Sequence, residues 1–324
     1  MSVIKNKTIL LTGGTGSFGN KFTEVALKKH NPKTIRIFSR GEKLQDDMRQ
    51  KFNDKRLRFF IGDVRDRNRL HRAMTGVDIV VHAAALKQVP ACEYNPIEAI
   101  KTNIDGAANV IDAAIDNNVN KVMTISTDKA VHPVNLYGAT KMNAEKLFIQ
   151  ANSYTGQGNT VFSCTRYGNV IGSRGSVIPL FLKQKESNVL TITDEKMTRF
   201  WIRLEDGVDF VIKCIDKMKG GEIFIPKIPS MKIMDLADVI APNAEKKIIG
   251  IRPGEKIHET LLTEDESRHS KEFDDLFLIE PEHSFWKKDY HNNGKELPDG
   301  YSYTSDKNDD WISKEKIKKI IDEL

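Results

Sequence analysis

The sequence predicts an α/β fold, with a Rossmann-type doubly wound parallel sheet followed by a smaller C-terminal α/β substrate domain. Short apolar segments of strand length alternate with helical patterns through the first half of the chain, as in sheets built from βαβ units. A glycine-rich turn at residues 13–19 joins the first of these segments to a helical pattern. Tyr137 and Lys141 lie four residues apart at the start of a long helical pattern, so they share one helix face.

Length and composition restrict the class of protein. The chain has 324 residues, 39% hydrophobic and 29% charged, which is typical of a soluble globular protein of one or two domains. No apolar run reaches about 18 residues, so we expect no membrane segment and no signal peptide. The three cysteines lack disulfide or metal-ligand spacing, so we expect no metal and a cytoplasmic location. The net charge of +5, without a Lys/Arg run, suits an anionic small molecule rather than nucleic acid.

The glycine-rich turn carries the first functional prediction. It follows a strand predicted at residues 8–11 and contains both Gly-x-x-Gly-x-x-Gly (13, 16, 19) and Gly-x-Gly-x-x-Gly (14, 16, 19). Such a turn brings a helix N-terminus to a pyrophosphate, whereas a lone glycine pattern is often only a flexible turn. The strand–loop–helix order favours a dinucleotide site. We expect this site to include Gly13, Thr15, Gly16, Ser17, Phe18 and Gly19.

The second predicted strand, residues 34–38, indicates which dinucleotide binds. An NAD enzyme usually has an acidic residue at its end, which binds the ribose 2′-hydroxyl. This chain has Ser39 and Arg40 there, with Lys43 one turn later. A guanidinium binds a 2′-phosphate through charge-assisted hydrogen bonds, so we predict NADP as the cofactor. The alternative is that Arg40 is a solvated surface residue.

Two further strands, predicted at residues 57–61 and 78–81, end near the same site. Asp63 is placed to accept a hydrogen bond from the adenine amino group, or else to cap a helix. Small residues after the second of these strands allow the backbone to lie against the cofactor. One long helix is predicted over residues 96–117. Its apolar turns surround the side-chain amide of Asn103, which needs hydrogen-bond partners if it is buried. The cofactor residues expected here are Asp63, Val64, Ala83, Ala84, Ala85 and Asn103.

The fifth predicted strand, residues 122–125, ends at the polar sequence Ser126-Thr127-Asp128-Lys129. Open α/β sheets bind ligands at the carboxyl ends of their strands, so this sequence is expected to face the substrate. A phenol has a reference pKa of about 10, and a lysine ammonium one turn away lowers it. Tyr137 with Lys141 can then remove a proton from a substrate hydroxyl as hydride leaves the same carbon. The alternative, a chance surface pair, is disfavoured by the neighbouring motifs.

The C-terminal half is less regular. A sixth strand is predicted at residues 160–165, and shorter elements follow at 190–193, 198–202, 205–217, 223–225 and 247–249, with a terminal helix within 312–324. We assign residues 1–172 to an NADP-binding domain and 173–324 to a substrate-binding domain, with the segment 205–225 returning to the large sheet. Arg174, Arg199 and Arg252 are candidates for binding a substrate diphosphate, because guanidinium groups match phosphate oxygens in pairs. For each arginine, a surface salt bridge is the alternative.

These motifs together resemble the extended short-chain dehydrogenase/reductase family, and within it the nucleotide-sugar 4,6-dehydratases. The similarity is strongest to the inverting type that acts on UDP-N-acetylglucosamine and begins pseudaminic acid synthesis. It extends from residue 1 to about residue 286. The segments that carry it are Leu-Leu-Thr-Gly-Gly-Thr-Gly-Ser-Phe-Gly (10–19), His-Ala-Ala-Ala-Leu-Lys (82–87), Ser-Thr-Asp-Lys (126–129), Arg-Tyr-Gly-Asn-Val (166–170), Ser-Arg-Gly-Ser-Val-Ile-Pro (173–179), Met-Thr-Arg-Phe (197–200) and Arg-Pro-Gly-Glu-Lys (252–256).

The resemblance implies a substrate, a mode of cofactor use and a set of site residues. UDP-N-acetylglucosamine is the implied substrate, and NADP stays bound because the hydride returns to the sugar. A homo-oligomer, either a dimer or a hexamer, is also implied. The implied catalytic residues are Thr127, Asp128, Lys129, Tyr137 and Lys141. The implied substrate contacts are Lys87, Tyr167, Asn169, Arg174, Ser176, Val177, Pro179, Thr198, Arg199, Arg252 and Glu255.

The resemblance also implies roles for the central residues. Tyr137 removes the O4 proton, Lys129 removes the C5 proton and Asp128 protonates the leaving O6. A lysine must be neutral to act as a base, so its reference pKa of about 10.4 has to fall. Lys141 and the nicotinamide cation would lower the pKa of Lys129, whereas Asp128 would raise it.

Three alternatives remain open at this point. Other sugar dehydratases carry Asp-Glu where this chain has Asp128-Lys129, and a retaining dehydratase differs from an inverting one only in product stereochemistry. A UDP-sugar 4-epimerase needs no acid–base pair beside the threonine. A catalytically inactive NADP-binding sensor has no need to keep Tyr137 and Lys141 together. This chain has Asp128, Lys129, Tyr137 and Lys141 together, and their combination favours the inverting dehydratase.

Overall fold

The computed structural model describes residues 2–156, 158–171, 177–282 and 291–323. Its helices are α1 (Ser17–Val25), α2 (Glu42–Phe52), α3 (Arg67–Met74), α4 (Val89–Tyr94), α5 (Pro96–Ile100), α6 (Gly106–Asp116), α7 (Leu136–Gln150), α8 (Val177–Lys185), α9 (Leu204–Lys217), α10 (Ile233–Ile240), α11 (Glu264–Ser267) and α12 (Lys314–Asp322). Its strands are β1 (Thr8–Thr12), β2 (Thr34–Ser39), β3 (Leu57–Ile61), β4 (Ile79–His82), β5 (Lys121–Thr127), β6 (Val161–Tyr167), β7 (Asn169–Val170), β8 (Val189–Ile192), β9 (Thr198–Ile202), β10 (Ile223–Pro226), β11 (Ser230–Lys232), β12 (Glu245–Ile248), β13 (Thr260–Leu262), β14 (Ser270–Glu272), β15 (Leu276–Ile279), β16 (Lys295–Glu296) and β17 (Tyr303–Thr304).

A large sheet forms the centre of the molecule. In the described part of the chain it has ten strands, in the order β16-β14-β15-β10-β6-β5-β4-β1-β2-β3. From β3 to β10 every neighbouring pair is parallel. The order 3-2-1-4-5-6 is that of a doubly wound nucleotide-binding sheet, so the predicted fold class is confirmed. All six strands predicted up to residue 165 are present, with ends that differ by at most two residues.

The other edge of the sheet was predicted in part, because β10 includes the end of the segment 205–225 that was expected to return to the large sheet, whereas β14, β15 and β16 were not expected there. Strand β10 lies parallel to β6, and β15, β14 and β16 then add antiparallel pairs beyond it. Helices α8, α10 and α12, with strands β8 and β9, surround a separate apolar core that buries Phe181, Leu190, Trp201 and Leu236, whereas α9, β13 and β17 pack into the core of the large sheet. The C-terminal half therefore contributes both to the large sheet and to a second core. The domain boundary at residue 172 stays a prediction.

Among the described residues of the C-terminal half, three small sheets are present. They join β11-β9-β7, β12-β8 and β13-β17. The short strands expected at 190–193, 198–202 and 247–249 correspond to β8, β9 and β12, and the helix expected at 205–217 is α9. Strand β17, from near the end of the chain, pairs antiparallel with β13. This pairing brings residues after 300 next to the segment that follows residue 255.

The helix expected over residues 96–117 is interrupted. Helix α5 is joined to α6 by a π-helical turn, Lys101–Asp105, which inserts an extra residue into the helix. Gly106 begins α6 in contact with Val64: an added Cβ would lie 2.7 Å from its Cγ2. Val64 is itself only 5% exposed. Its side chain therefore packs in the core, and it can reach a cofactor only through its backbone.

The structure can be compared with the expectations drawn from composition about membrane segments, metal sites and cysteines. No helix among the described residues is long and apolar enough to cross a membrane. Within the same ranges, no group of three or more His, Cys, Asp or Glu side chains could hold a metal ion. Cys92, Cys164 and Cys214 are buried and free, so they pack as small apolar residues.

Candidate active site

The glycine-rich turn connects β1 to α1. Helix α1 begins after Gly16, and no side chain caps its first N–H groups. A Cβ added to Gly19 would lie 2.2 Å from the carbonyl oxygen of Gly14, so only glycine lets the helix start this close to the turn. A Cβ added to Gly16 would have a single neighbour, the carbonyl oxygen of Gly13 at 3.2 Å. The uncapped N–H groups and the open space beside them fit the pyrophosphate of a dinucleotide.

Arg40 follows β2 as a largely exposed side chain. Its Nη1 lies 3.9 Å from Asp63 Oδ2, which is too far for a hydrogen bond. Arg65 binds Asp63 more closely, with Nη2 donating to Oδ2 at 2.8 Å. Burial alone would raise the pKa of Asp63, but the hydrogen bonds and charge of Arg65, together with the charge of Arg40, hold it below its usual range. The Arg40 guanidinium keeps its hydrogen-bond donors for a ligand at the end of β2.

The alternative role of Asp63 as a helix cap is wrong. Asp66 caps α3 instead, and its carboxylate accepts a hydrogen bond from the Arg69 N–H at 2.9 Å. The neighbouring Ser39 is held by Gln45, whose Nε2 donates to the Ser39 hydroxyl at 3.0 Å and to its carbonyl at 3.1 Å. Lys43 is exposed on α2. Gln45 also donates to the Phe60 carbonyl at 2.9 Å and so fixes the ends of β2 and β3, while Arg40 and Lys43 both lie exposed at this edge.

Asn103 is committed within the protein. Its Oδ1 accepts from the Leu86 N–H at 2.8 Å, and its Nδ2 donates to the Leu86 carbonyl and to the Thr140 hydroxyl, both at 2.9 Å. All of its hydrogen-bonding groups therefore connect the loop after β4 to α7. Asn103 therefore positions that loop, and its contact with the cofactor stays a prediction. The neighbouring His82 binds the Thr12 hydroxyl at 2.8 Å, and burial, with the charge of Lys141, lowers its pKa to about 3.

Helix α7 is placed by its first turn. Asn135 caps it, accepting from the Gly138 N–H at 2.8 Å, and donates to the Gly254 carbonyl at 2.8 Å. A Cβ on Gly138 would lie 2.1 Å from the carbonyl oxygen of Lys129, so glycine allows α7 to lie directly against the turn that ends β5. Tyr137 and Lys141, both buried, consequently lie beside Thr127 and Lys129.

The electrostatics of Tyr137 differ from the expectation. Burial raises its pKa to about 12, and the charge of Asp128 adds to this effect. The charge of Lys129 and the hydroxyl of Thr127 act in the opposite direction. Burial also lowers the pKa of Lys141. The expected lowering of the Tyr137 pKa by Lys141 is therefore not seen, because the loss of solvent around the phenol outweighs the charges near it.

Lys129 lies in a group of charges that we call the cavity cluster: Asp128, Lys129, Arg199, Lys256 and Glu259. Lys129 Nζ donates to Asp128 Oδ1 at 3.0 Å and to Asn169 Oδ1 at 3.3 Å, and lies 3.6 Å from Glu259 Oε1. Burial alone would lower the pKa of Lys129, but the charges of Asp128 and Glu259 raise it above its usual range. The shift that a neutral lysine base requires is thus opposite to the one this arrangement produces.

The cluster borders a cavity of about 880 Å³, here called the main cavity. Asp128 is fully buried and does not line it, although its Oδ1 accepts from the Thr127 hydroxyl at 2.8 Å. Gly13, Thr15, Gly16 and Gly19 lie in the turn behind the cavity wall. The predicted site residues that do line it are Ser17, Phe18, Ala83, Ala85, Lys87, Thr127, Lys129, Tyr137, Lys141, Tyr167, Asn169, Val177, Pro179, Arg199, Arg252 and Glu255.

The three candidate arginines differ. Arg199 is 7% exposed and donates to the carbonyls of Thr198, Ile257 and Lys256 at 2.7–2.9 Å, so most of its donors are used within the protein. Arg252 is half exposed at the cavity and lies 3.7 Å from Glu255. Arg174, with Ser176, lies outside the described residues. Arg252 is therefore the described arginine best able to bind a phosphate.

Thr198 does not face the cavity. Its hydroxyl lies 2.9 Å from His258 Nδ1 and 2.7 Å from the Ser305 hydroxyl, and its side chain is buried. Thr198 thus links β9 to the segments around residues 258 and 305, and its expected substrate contact stays a prediction.

A second group of buried charges was not predicted. Arg166, which is 2% exposed, donates to both oxygens of Glu145 at 3.1 and 2.7 Å and to both oxygens of Glu266 at 3.1 and 3.0 Å. We call Glu145, Arg166 and Glu266 the structural cluster. It joins α7 to β6 and α11, and so fixes the far end of the helix that carries Tyr137.

Glu259 was also missed. It is 2% exposed, lines the main cavity and contacts three cations. The only local signal for it is its place directly before the apolar strand β13, three residues after the Arg-Pro-Gly-Glu-Lys segment. Such a position is equally common for a surface glutamate, so the sequence could not distinguish the two.

The chain is similar to known proteins over most of its length. A family model described as a polysaccharide biosynthesis protein matches residues 9–281. A UDP-N-acetylglucosamine 4,6-dehydratase (inverting) from Campylobacter jejuni subsp. jejuni serotype O:2 is 53% identical over 328 residues, which cover 98% of each chain. A UDP-glucose 4-epimerase from Rickettsia conorii is 49% identical, over 85% of this chain and 83% of its own. The solved structure of Pen from Bacillus thuringiensis has a TM-score of 0.90 and 42% identity, covering 99% of this chain and 98% of that one.

Proposed function

Because this chain belongs to the polysaccharide biosynthesis protein family of extended short-chain dehydrogenases/reductases, we propose that it is an inverting UDP-N-acetylglucosamine 4,6-dehydratase. The observation that carries the proposal is that Thr127, Lys129 and Tyr137 line one cavity. A tyrosine and a threonine suit chemistry at a sugar hydroxyl, and Lys129 adds the second acid–base group that removal of water requires. The product would be UDP-2-acetamido-2,6-dideoxy-β-L-arabino-hex-4-ulose, made in the cytoplasm by a homo-oligomer at the start of pseudaminic acid synthesis.

NADP is the cofactor that we propose for this site. When bound, it would supply hydride acceptance from the sugar and the later return of that hydride, so no external oxidant would be consumed. The uncapped N–H groups at the start of α1 would bind the pyrophosphate, and Arg40 would bind the 2′-phosphate. Ala83 and Ala85 line the same cavity as Tyr137, and their small side chains would leave room for the cofactor there.

Tyr137 is the proposed acceptor of the O4 proton. Its high pKa keeps the phenol protonated at neutral pH, so formation of the phenolate that could accept the O4 proton depends on nearby positive charge. Lys129 provides such a charge, and Thr127 offers its hydroxyl to the same group. Lys141 lies one turn along the same helix, at the cavity wall.

Lys129 is the proposed group at C5. The two flanking carboxylates favour its protonated form, so it must lose a proton before it can accept one from carbon. Asp128 Oδ1, at 3.0 Å, is the carboxylate oxygen at hydrogen-bond distance and is therefore the proposed acceptor. Asp128 reaches the substrate through Lys129 and Thr127, because it does not line the cavity itself.

A UDP-sugar 4-epimerase is the second candidate, because the Rickettsia conorii relative carries the name UDP-glucose 4-epimerase. Epimerisation requires oxidation and reduction at C4 and no proton transfer at C5. Lys129 and Glu259 of the cavity cluster line the same cavity as Tyr137. Epimerisation would not require these two charged groups. This arrangement favours the dehydratase.

The deciding experiment follows the protein with UDP-N-acetylglucosamine and NADP in deuterium oxide by proton NMR. We expect a new C6 methyl signal, loss of one water and deuterium at C5 in the L-arabino configuration. The D-xylo configuration as first product would identify a retaining dehydratase. Appearance of the 4-epimer without a methyl signal would identify an epimerase. The matched control is Tyr137→Phe, which keeps the ring but removes the hydroxyl and should abolish turnover.

A separate measurement tests the cofactor. In Arg40→Ser, the ratio of NADP affinity to NAD affinity should fall by about tenfold to hundredfold, because charge-assisted hydrogen bonds to the 2′-phosphate are lost. Arg72→Ser, at an exposed position on α3, is the matched control and should leave the ratio unchanged. Isothermal titration calorimetry with each dinucleotide gives both affinities. An unchanged ratio in Arg40→Ser would remove the reason for proposing NADP.

A further inference from the structure

Glu259 is a buried carboxylate surrounded by cations at the wall of the main cavity. Its Oε1 lies 3.6 Å from Lys129 Nζ and 3.7 Å from Arg199 Nε, and its Oε2 lies 3.8 Å from Lys256 Nζ. These distances allow charge attraction but are longer than hydrogen bonds. Within the described residues, Oε2 has no hydrogen-bond partner although it is buried. A carboxylate kept in this condition carries a desolvation cost that its ion pairs only partly offset.

The backbone holds Glu259 independently of these ion pairs. Its N–H donates to the Ser305 hydroxyl at 2.9 Å, and its carbonyl accepts from the Ser305 N–H at 2.8 Å. The Ser305 hydroxyl is in turn 2.7 Å from the Thr198 hydroxyl. The position of Glu259 is therefore set by β9 and by the segment after β17, and its carboxylate is presented to the cluster as a fixed negative charge.

Glu259 lies 3.6–3.8 Å from three cations that line the cavity, and one of them, Lys129, also donates to Asp128 Oδ1 at 3.0 Å. Asp128 and Glu259 face it as anions, while Arg199, Lys256 and Lys87 are the nearby cations and Tyr137 is the neighbouring phenol. Asp128 lies behind the wall, and Glu259 approaches from the opposite half of the chain. Lys129 is thus held between two carboxylates that come from separate parts of the sequence.

We propose that Glu259 is a positioning residue that acts through Lys129, keeping its side chain at the cavity wall and its amine protonated. The catalytic consequence rests on the proposed dehydratase function, whereas the effect on Lys129 itself does not. Without the charge of Glu259, Lys129 would titrate at lower pH, because burial and the neighbouring cations would be opposed by Asp128 alone. Glu259 therefore sets the pH range over which Lys129 can exchange protons.

The first test measures the titration of Lys129 without any turnover. The protein is labelled with limiting acetic anhydride across a range of pH, and acetylation of each lysine is quantified by peptide mass spectrometry. Only the neutral amine reacts, so the midpoint of labelling reports its protonation. In Glu259→Gln the midpoint for Lys129 should fall by about one pH unit or more. Glu264→Gln, at an exposed carboxylate of α11, is the matched control and should match wild type.

The outcomes separate a charge effect from a structural one. Glu259→Asp keeps the charge and should restore the wild-type midpoint within a few tenths of a pH unit. Equal midpoints in wild type and Glu259→Gln would overturn the proposal. Should Glu259→Gln fail to fold by circular dichroism, wild type alone decides: a midpoint for Lys129 at or below that of exposed Lys185 would overturn it equally.

The second test joins this effect to catalysis. The pH profile of C6 methyl formation should have one limb that moves to lower pH in Glu259→Gln by the same amount as the labelling midpoint. A uniform loss of rate at every pH, with no movement of the limb, would make Glu259 merely structural. Failure of wild type to form the methyl product would count against the dehydratase and would leave the labelling result standing on its own.

Discussion

The structural cluster and the cavity cluster are both buried, and both are connected to α7, but their hydrogen bonds differ. In the structural cluster, Arg166 donates to both carboxylates at 2.7–3.1 Å. In the cavity cluster, Glu259 lies 3.6–3.8 Å from its three cations, and one oxygen each of Asp128 and Glu259 has no hydrogen-bond partner in the described ranges. The first group has used its bonding capacity, whereas the second has kept part of it.

This difference indicates what each cluster does. A buried ion pair with complete hydrogen bonds strongly resists the loss of one partner, since the remaining charge is then buried alone. A cluster with unused oxygens beside a cavity can instead bind or exchange protons with a ligand. The contrast gives opposite expectations for substitutions in the two groups: loss of stability in one and loss of activity in the other.

The largest expected effect is on stability, in Arg166→Met. Removing the guanidinium leaves the buried Glu145 and the partly buried Glu266 without their cation. We expect the free energy of unfolding to fall by about 3–5 kcal/mol, measured by urea denaturation. Arg203→Met, which breaks an exposed pair with Asp206, is the matched control and should cost about 0–1 kcal/mol. Similar losses in both variants would contradict the role given to the structural cluster.

The next effect is on activity, in Lys129→Met. Loss of a positioned acid–base group typically reduces the rate by about 10²–10⁴-fold, and we expect methyl formation to fall within that range. The free energy of unfolding should also fall, because the buried Asp128 loses its ion pair with Lys129. The loss should be smaller than in Arg166→Met, because Thr127 still donates to Asp128 and because Arg199 and Lys256 still balance Glu259. A variant that unfolds as readily as Arg166→Met would remove the distinction between the clusters.

The smallest effect is a change in acid sensitivity, in Glu266→Gln. Burial alone would raise the pKa of Glu266, but the charge and hydrogen bonds of Arg166 hold it below its usual range. Glu266 therefore stabilises the fold above its unfolded pKa of about 4.3, and this contribution is lost as pH falls through the lower folded value. Wild type should lose stability below about pH 4.3 more steeply than the variant, by at most about 1.4 kcal/mol per pH unit.

Urea denaturation at a series of acidic pH values checks this difference. Glu264→Gln serves again as the exposed control and should follow wild type. Parallel curves for wild type and Glu266→Gln would show that Arg166 does not hold this carboxyl group in its charged form.

The sequence predicted those parts of the site that local patterns encode. The parallel strands, the turn containing Gly13, Gly16 and Gly19, and the pair Tyr137 and Lys141 each lie within a short stretch whose period or spacing is specific. The conformation of these stretches is determined by steric contacts between segments that are close in sequence, such as the contact of Gly138 with the Lys129 carbonyl. The fold class could be predicted for the same reason.

The rest depends on contacts between distant segments. Glu259 reaches Lys129, and Glu266 reaches Arg166, only because the C-terminal half folds back on the sheet. The antiparallel strands β14–β16 join the sheet edge in a way that no periodicity in their short segments shows. The predicted lowering of the Tyr137 pKa was wrong for a related reason. The burial that raises this pKa is set by the whole fold, whereas the prediction considered only the charge of Lys141, one helical turn away.

The contact of Ser305 with Glu259 has a consequence for the order of synthesis. Translation proceeds from the N-terminus at about 5–20 residues per second, so β1–β6 and α7 are made well before Ser305. A nascent chain can complete its glycine-rich turn while the backbone of Glu259 still lacks both hydrogen bonds from Ser305. The growing polypeptide is thus able to fold the dinucleotide-binding part of the sheet first. The contact that holds Glu259 beside Lys129 can form only after Ser305, near the end of the chain, has been synthesised.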